Sequence, residues 1–118
     1  MGTFSYPITV RNPATGARIQ LDALVDTGAT FTVVPASSLR GLGIDPVRSV
    51  EAELANGSVM QLPLGYAEVQ IDGQSAQVLC GFGPEDVQPL LGATTLELLL
   101  LAPDPVRKTL VPIRALLM

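Results

Sequence analysis

Asp26-Thr27-Gly28 stands at the end of the apolar run Ala23-Leu24-Val25 and leads through Ala29 and Thr30 into the mostly apolar stretch 31–34. A carboxylate, a hydroxyl and a glycine at the end of a strand can serve acid–base chemistry. Burying an unpaired charge is costly, which makes such a carboxylate a functional-site candidate. The triplet also has a plainer reading, a turn in which Asp26 accepts a hydrogen bond from its own backbone and Gly28 takes a left-handed conformation. At ordinary residue frequencies an Asp-Thr/Ser-Gly triplet arises by chance in roughly one chain in twenty, so its setting decides. The apolar runs on both sides predict a partly buried carboxylate, which favours the functional reading.

Little else in the chain can do hydrolytic chemistry. Its 118 residues contain no histidine and one cysteine, Cys80. That excludes a Ser-His-Asp triad, a Cys-His pair and an imidazole metal site, and a lone cysteine closes no intrachain disulfide. Cys80 reads as a buried thiol, and no metal or cofactor is expected. The net charge of −4, with seven Lys and Arg of which only Arg107-Lys108 are adjacent, lacks the basic footprint of a nucleic-acid binder. The longest aliphatic run, 98–102, falls far short of the roughly 18 residues a membrane span needs. Residues 1–10 lack the basic start and apolar core of a signal peptide, so cytoplasmic residence is the expectation. The length predicts a single domain over 1–118. Charged residues are 15% of the chain, against an average of about 25%, as expected if part of the exterior is covered by a second copy or a ligand.

The elements that must position Asp26 are mostly strands, because eleven Gly and ten Pro punctuate short apolar runs. Residues 4–11 and 17–25 are joined across Asn12-Pro13-Ala14-Thr15-Gly16, where proline presets φ and glycine supplies a left-handed position. A strand over 30–34 follows the triplet, and Pro35 opens a short helix through residue 40. Strands over 50–54 and 59–64 flank Asn56-Gly57, and strands over 66–71 and 74–79 flank Asp72-Gly73; both dipeptides are hairpin signals. Gly81-Phe82-Gly83 reads as a turn, since no lysine follows to make a phosphate loop. Residues 94–100 read as a helix, with Thr94 as cap and Glu97 completing a capping box. Residues 106–113 return as a strand, at an edge or bulged where Pro112 withholds a donor.

On three of these segments the sequence resembles the retropepsin-like aspartic proteases: residues 24–30 containing Asp26-Thr27-Gly28, the hairpin around Asn56-Gly57, and Pro89-Leu90-Leu91-Gly92 before a helix. In that family they are the catalytic loop, the flap, and the apolar-apolar-Gly element that supports the catalytic loop. Only the first is specific; the others gain weight from their order. The resemblance implies an all-β fold, a closed retropepsin-like β-barrel with one short C-terminal helix. It implies a homodimeric aspartic endopeptidase in which Asp26 of each copy shares one proton with its counterpart and activates a water. Thr27 would hydrogen-bond across the dimer axis, and Gly28 would admit the substrate backbone. Ala29, Thr30 and the flap residues Asn56, Gly57 and Ser58 would contact a peptide or protein substrate. Thr27 taken alone is an ordinary turn hydroxyl, and Asn56-Gly57 is equally a plain hairpin.

The sequence also departs from the family pattern. Ala93 stands where classical retropepsins carry an arginine, and residues 90–97 look more like the small prokaryotic members. A rival reading is a catalytically inactive module of the same fold, used for dimerisation or peptide binding. A third is an unrelated small β-barrel with a chance triplet. Ala29 occupies the position where pepsin-like relatives usually carry a serine whose hydroxyl stabilises the ionised carboxylate. Its absence predicts a less acidic working range, with a pH–rate profile whose maximum lies clearly above pH 2; a maximum at about pH 2 would refute the inference.

Overall fold

The computed structural model describes residues 3–117. Met1, Gly2 and Met118, which the single-domain expectation over 1–118 includes, lie outside the described residues. The elements in chain order are β1 (Ser5–Arg11), β2 (Arg18–Val25), β3 (Thr32–Pro35), α1 (Ala36–Gly41), β4 (Arg48–Glu53), β5 (Val59–Ile71), β6 (Gln74–Gly83), β7 (Leu90–Leu91), α2 (Ala93–Leu99), β8 (Leu101–Asp104) and β9 (Thr109–Pro112).

Turn chemistry sets the hairpins. Between β1 and β2 the Asn12 carbonyl accepts the Gly16 N–H at 2.8 Å, and Asn12 Oδ1 accepts the Ala14 N–H at 2.9 Å. The buried Asn12 also donates from Nδ2 to Leu42 O at 2.9 Å, which ties this turn to the chain leaving α1. Between β5 and β6, Asp72 and Gly73 both take positive φ, and Ile71 faces Gln74. That two-residue turn matches the right-handed twist of the strands.

The strands form one sheet in the order β1-β2-β7-β3-β6-β5-β4, and a further antiparallel pairing of β1 with β5 closes it into a ring that leaves β4 outside, paired only to β5. Two pairings are parallel, β2 with β7 and β3 with β6. The core fills the ring, with Val10, Ala23, Val34, Val69, Cys80 and Leu91 fully buried. Among the described residues no helix is long and apolar enough to cross a membrane.

Several expected boundaries move. The strands expected over 59–64 and 66–71 are one strand, β5, because the buried Gly65 pairs with Cys80 instead of turning. β6 likewise runs through Gly81-Phe82-Gly83, which pairs in parallel with β3 and is no turn. The short helix expected after Pro35 is present as α1, in addition to the C-terminal helix of the fold-class expectation, but Pro35 is its N-cap rather than its first helical residue. The N-cap of α2 is Gly92, with no side-chain cap bond from Thr94 and no capping box. The first N–H groups of α2 are satisfied from outside: Ala93 N–H donates to Ala29 O at 2.7 Å and Thr94 N–H to Thr30 O at 3.1 Å. The strand expected over 106–113 is present as the shorter β9 (Thr109–Pro112), paired with β8, which was not expected. Asp104 Oδ1 accepts the N–H groups of Val106 and Arg107, so those residues turn.

Burial pushes the Cys80 thiol up to about 12 from its ordinary 9.0. The unfolded chain can then release the thiol proton from about pH 9 while the folded chain cannot, so this group's contribution to stability is lost as pH rises through that window. Native protein at pH 8 is expected to leave Ellman's reagent unreacted, with one thiol per chain appearing on unfolding. Prompt reaction of the native protein would show that the β5–β6 region opens readily.

Candidate active site

Asp26 directly follows β2, and its backbone is held from the far end of the chain. Leu24 N–H donates to Pro89 O at 2.8 Å and Asp26 N–H to Leu91 O at 3.0 Å. β7 thus lies between β2 on one side and β3 on the other, with Leu90 paired to both Leu24 and Val33. Within the loop, Asp26 Oδ1 accepts the Gly28 N–H at 2.9 Å and the Asp26 carbonyl accepts the Ala29 N–H at 3.1 Å. Of the plain turn reading, the Asp26 bond is present and orients the carboxylate, but Gly28 does not take the expected left-handed conformation, since the loop closes without a positive φ there. Asp26 is half-buried, whereas Thr27 and Gly28 are exposed.

The floor under this loop is cross-braced by a buried hydroxyl pair. Thr32 and Thr95 are 0% and 1% exposed. Their Oγ1 atoms lie 2.7 Å apart, and Thr32 Oγ1 also accepts the Gly92 N–H at 3.1 Å. Gly92 is required here by close approach: a Cβ would lie 2.4 Å from both the C and the O of Phe31. With Ala93 and Thr94 bonded to the carbonyls of Ala29 and Thr30, the start of α2 is stitched to the loop on both sides of Phe31.

Beside Asp26 opens a largely apolar cleft of about 480 Å³. Gly28, Ala29, Thr30 and Phe31 line its floor; residues 50–54 with Met60 and Leu62 form one wall; Val33, Pro84, Val87 and Leu90 form the other. The structure thus brings Gly28, Ala29 and Thr30 into the cleft and leaves Asp26 and Thr27 beside it. Asn56, Gly57 and Ser58 sit at the exposed tip of the β4–β5 hairpin, outside the lining, where Asn56 Oδ1 accepts from Ser58 N–H and Oγ–H.

Sequence reasoning missed the cleft walls. The half-buried Val50, Ala52 and Met60 alternate with exposed neighbours along β4 and β5, a period-2 signal that could have nominated them. It also missed the Thr32–Thr95 pair, whose only sequence trace is two threonines in apolar surroundings. Among the described residues no group of three or more His, Cys, Asp or Glu side chains is arranged to hold a metal ion.

Residues 15–97 match the family described as gag-polyprotein putative aspartyl protease. The match ends within α2, so the β8–β9 hairpin lies outside it. No curated protein matches the sequence. Among solved structures, the chain is similar to the simian foamy virus (mac) protease, with a TM-score of 0.53 and 23% identity over 77% of this chain and 91% of that one. It is also similar to the EIAV protease solved with the inhibitor HBY-793, with a TM-score of 0.55 and 16% identity over 79% of this chain and 84% of that one. These likenesses show that the chain has the retropepsin fold.

The contact at Gly92 yields a test of the floor. Gly92→Ala forces a methyl group against backbone that cannot rotate away, and is expected to cost about 3 kcal/mol and lower Tm by roughly 10 °C. Gly57→Ala sits in open space, strained only by its positive φ, and is expected to cost about 1 kcal/mol. Equal thermal shifts for the two variants would overturn the close-approach argument.

Proposed function

The chain belongs to the gag-polyprotein putative aspartyl protease family, and from that membership we propose that it is a homodimeric aspartic endopeptidase acting on extended peptides. The observation that carries the reading is Asp26 itself, a half-buried carboxylate whose backbone N–H is fixed by Leu91 O and whose Oδ1 is pinned by the Gly28 N–H, beside an apolar cleft. Asp26 is the one carboxylate in this loop, and a proton-sharing dyad needs two. The second comes from another copy related by a twofold axis. Exposed apolar residues at the end of α2 and beyond, Leu98, Leu100, Ile113, Leu116 and Leu117, support self-association.

In the proposed reaction the ionised Asp26 takes a proton from a water, and the water oxygen bonds to the scissile carbonyl carbon. The protonated Asp26 of the other copy gives its proton to the carbonyl oxygen. A tetrahedral diol results, with no net charge created. On its collapse the C–N bond breaks, the first Asp26, now protonated, gives its proton to the leaving nitrogen, and the second takes a proton from a diol hydroxyl as the carbonyl re-forms, so the pair again holds one shared proton. Thr27, exposed in the single chain, would bond across the axis; Gly28, Ala29 and Thr30, which line the cleft, would flank the substrate backbone. Asn56, Gly57 and Ser58 would reach the substrate from the hairpin tip.

We read the chain as a single domain over 1–118, which the closed ring around one core supports. Within the family we place it nearest the small prokaryotic members, on residues 90–97. Ala93, whose N–H is spent on Ala29 O, replaces the arginine of the classical interface. That replacement keeps the alternative of an inactive dimerisation or peptide-binding module in view.

One titration separates the readings. Asp26→Asn alone is expected to lose at least about a thousandfold in kcat. An equal mixture with wild type under exchange, at unchanged total protein, should have about a quarter of the wild-type activity, because only dimers with two aspartates cleave. A fall to one half would mean that each chain works alone. Absence of cleavage by a protein that light scattering shows to be dimeric would favour the inactive module.

A further inference from the structure

The segment between β6 and β7, residues 84–89, supplies Pro84 and Val87 to one wall of the cleft. Its ends are anchored, by β6 at one side and by Pro89 O accepting the Leu24 N–H at the other. Between those anchors it carries, among the described residues, one internal hydrogen bond, Val87 N–H to Pro84 O at 3.1 Å. Among the described residues, one side chain hydrogen-bonds its middle to another element. Glu85 accepts the Ser37 N–H on Oε2 at 3.0 Å and the Ser37 hydroxyl on Oε1, reaching across 48 positions to the first turn of α1.

Resting on the peptide-cleft reading above, we propose that the Ser37–Glu85 clamp is a positioning device for substrate specificity: it holds the Val87 wall at the width that selects large apolar side chains next to the scissile bond. Both carboxylate oxygens are engaged by donors on one residue, so the clamp fixes direction as well as distance. α1 is itself anchored, with Leu39 fully buried and Arg40 lying over the Phe82 ring, its Cζ 5.5 Å from the ring centroid. The clamp therefore references the wall to the core rather than to another loop. Two hydrogen bonds from Ser37, the hydroxyl first and the backbone N–H second, hold the Glu85 carboxyl below its ordinary value, with a smaller contribution from Arg40.

The test uses Glu85→Ala, which removes the clamp, and Glu85→Gln, whose amide can still accept the Ser37 N–H and donate to the Ser37 hydroxyl. The probes are two uncleavable peptides with a reduced peptide bond, one flanked by Phe and one by Ala. Glu85→Ala is expected to weaken binding of the Phe probe about fivefold and of the Ala probe less than about twofold. It should also speed hydrogen exchange at the Val87 amide at unchanged Tm, and Glu85→Gln should restore both readouts. Parallel weakening of the two probes, an unchanged Val87 exchange rate, failure of Gln to restore, or wild-type protein binding neither probe would each overturn the proposal. Cleavage of the corresponding amide peptides is scored separately. Wild-type protein that binds the Phe probe without cleaving its amide counterpart refutes proteolysis and leaves the clamp standing.

Discussion

The Thr32 hydroxyl is the point on which the floor beneath the Asp26 loop depends. It accepts the Gly92 N–H and meets the Thr95 hydroxyl inside a site closed to solvent, across 60 and 63 positions of sequence respectively. Left unpaired there, each such group would cost about 1–3 kcal/mol, so the three groups hold one another in place. With Gly92 located, Leu91 O is presented to the Asp26 N–H, Pro89 O to the Leu24 N–H, and the first N–H groups of α2 to the carbonyls of Ala29 and Thr30. The loop carrying Asp26 is thus shaped by a segment that follows β6 in the chain.

The opposite wall is built on a different principle. The hydrogen bonds at the β4–β5 tip close within the hairpin: Leu54 N–H to Ser58 O, Gly57 N–H to Leu54 O, and Asn56 with Ser58. Displacing the tip breaks none of the bonds that brace Asp26. β4 pairs with β5 alone, so this wall is coupled to the barrel through one strand. On the proposed reading, a cross-braced floor facing a locally tied hairpin separates the part that must keep angstrom-scale geometry from the part that must admit a ligand.

What could be read in the sequence follows the same division. The hairpins at Asn12–Gly16, Asn56-Gly57 and Asp72-Gly73 were legible because a two- to five-residue segment carries its own turn chemistry. Asp26, Gly28 and their apolar approach were legible for the same reason. The continuity of β5 through Pro63 and Gly65 was not, since the partners that hold it extended, Ser49 and Cys80, are distant in sequence. Gly81-Phe82-Gly83 looked like a turn because its parallel partner β3 leaves no local trace. The α2 cap was misread because a local capping rule was applied to N–H groups that find carbonyls more than sixty residues away. The cleft walls and the Thr32–Thr95 pair belong to this second, non-local class.

The absence of histidine, read first as an exclusion, has a structural counterpart. A triad needs an acid, a base and a nucleophile aligned within one chain, each oriented by its own shell of hydrogen bonds. Apart from Asn12, the buried polar side chains among the described residues serve the loop of a single carboxylate: Thr32 and Thr95, with Gly92 and Leu91, converge on the backbone of one loop. On the proposed reading, twofold symmetry then supplies the second acid at no further cost in sequence, with identical geometry and bracing. The pair differs in protonation alone, and that single shared proton is the asymmetry that a general acid and a general base require.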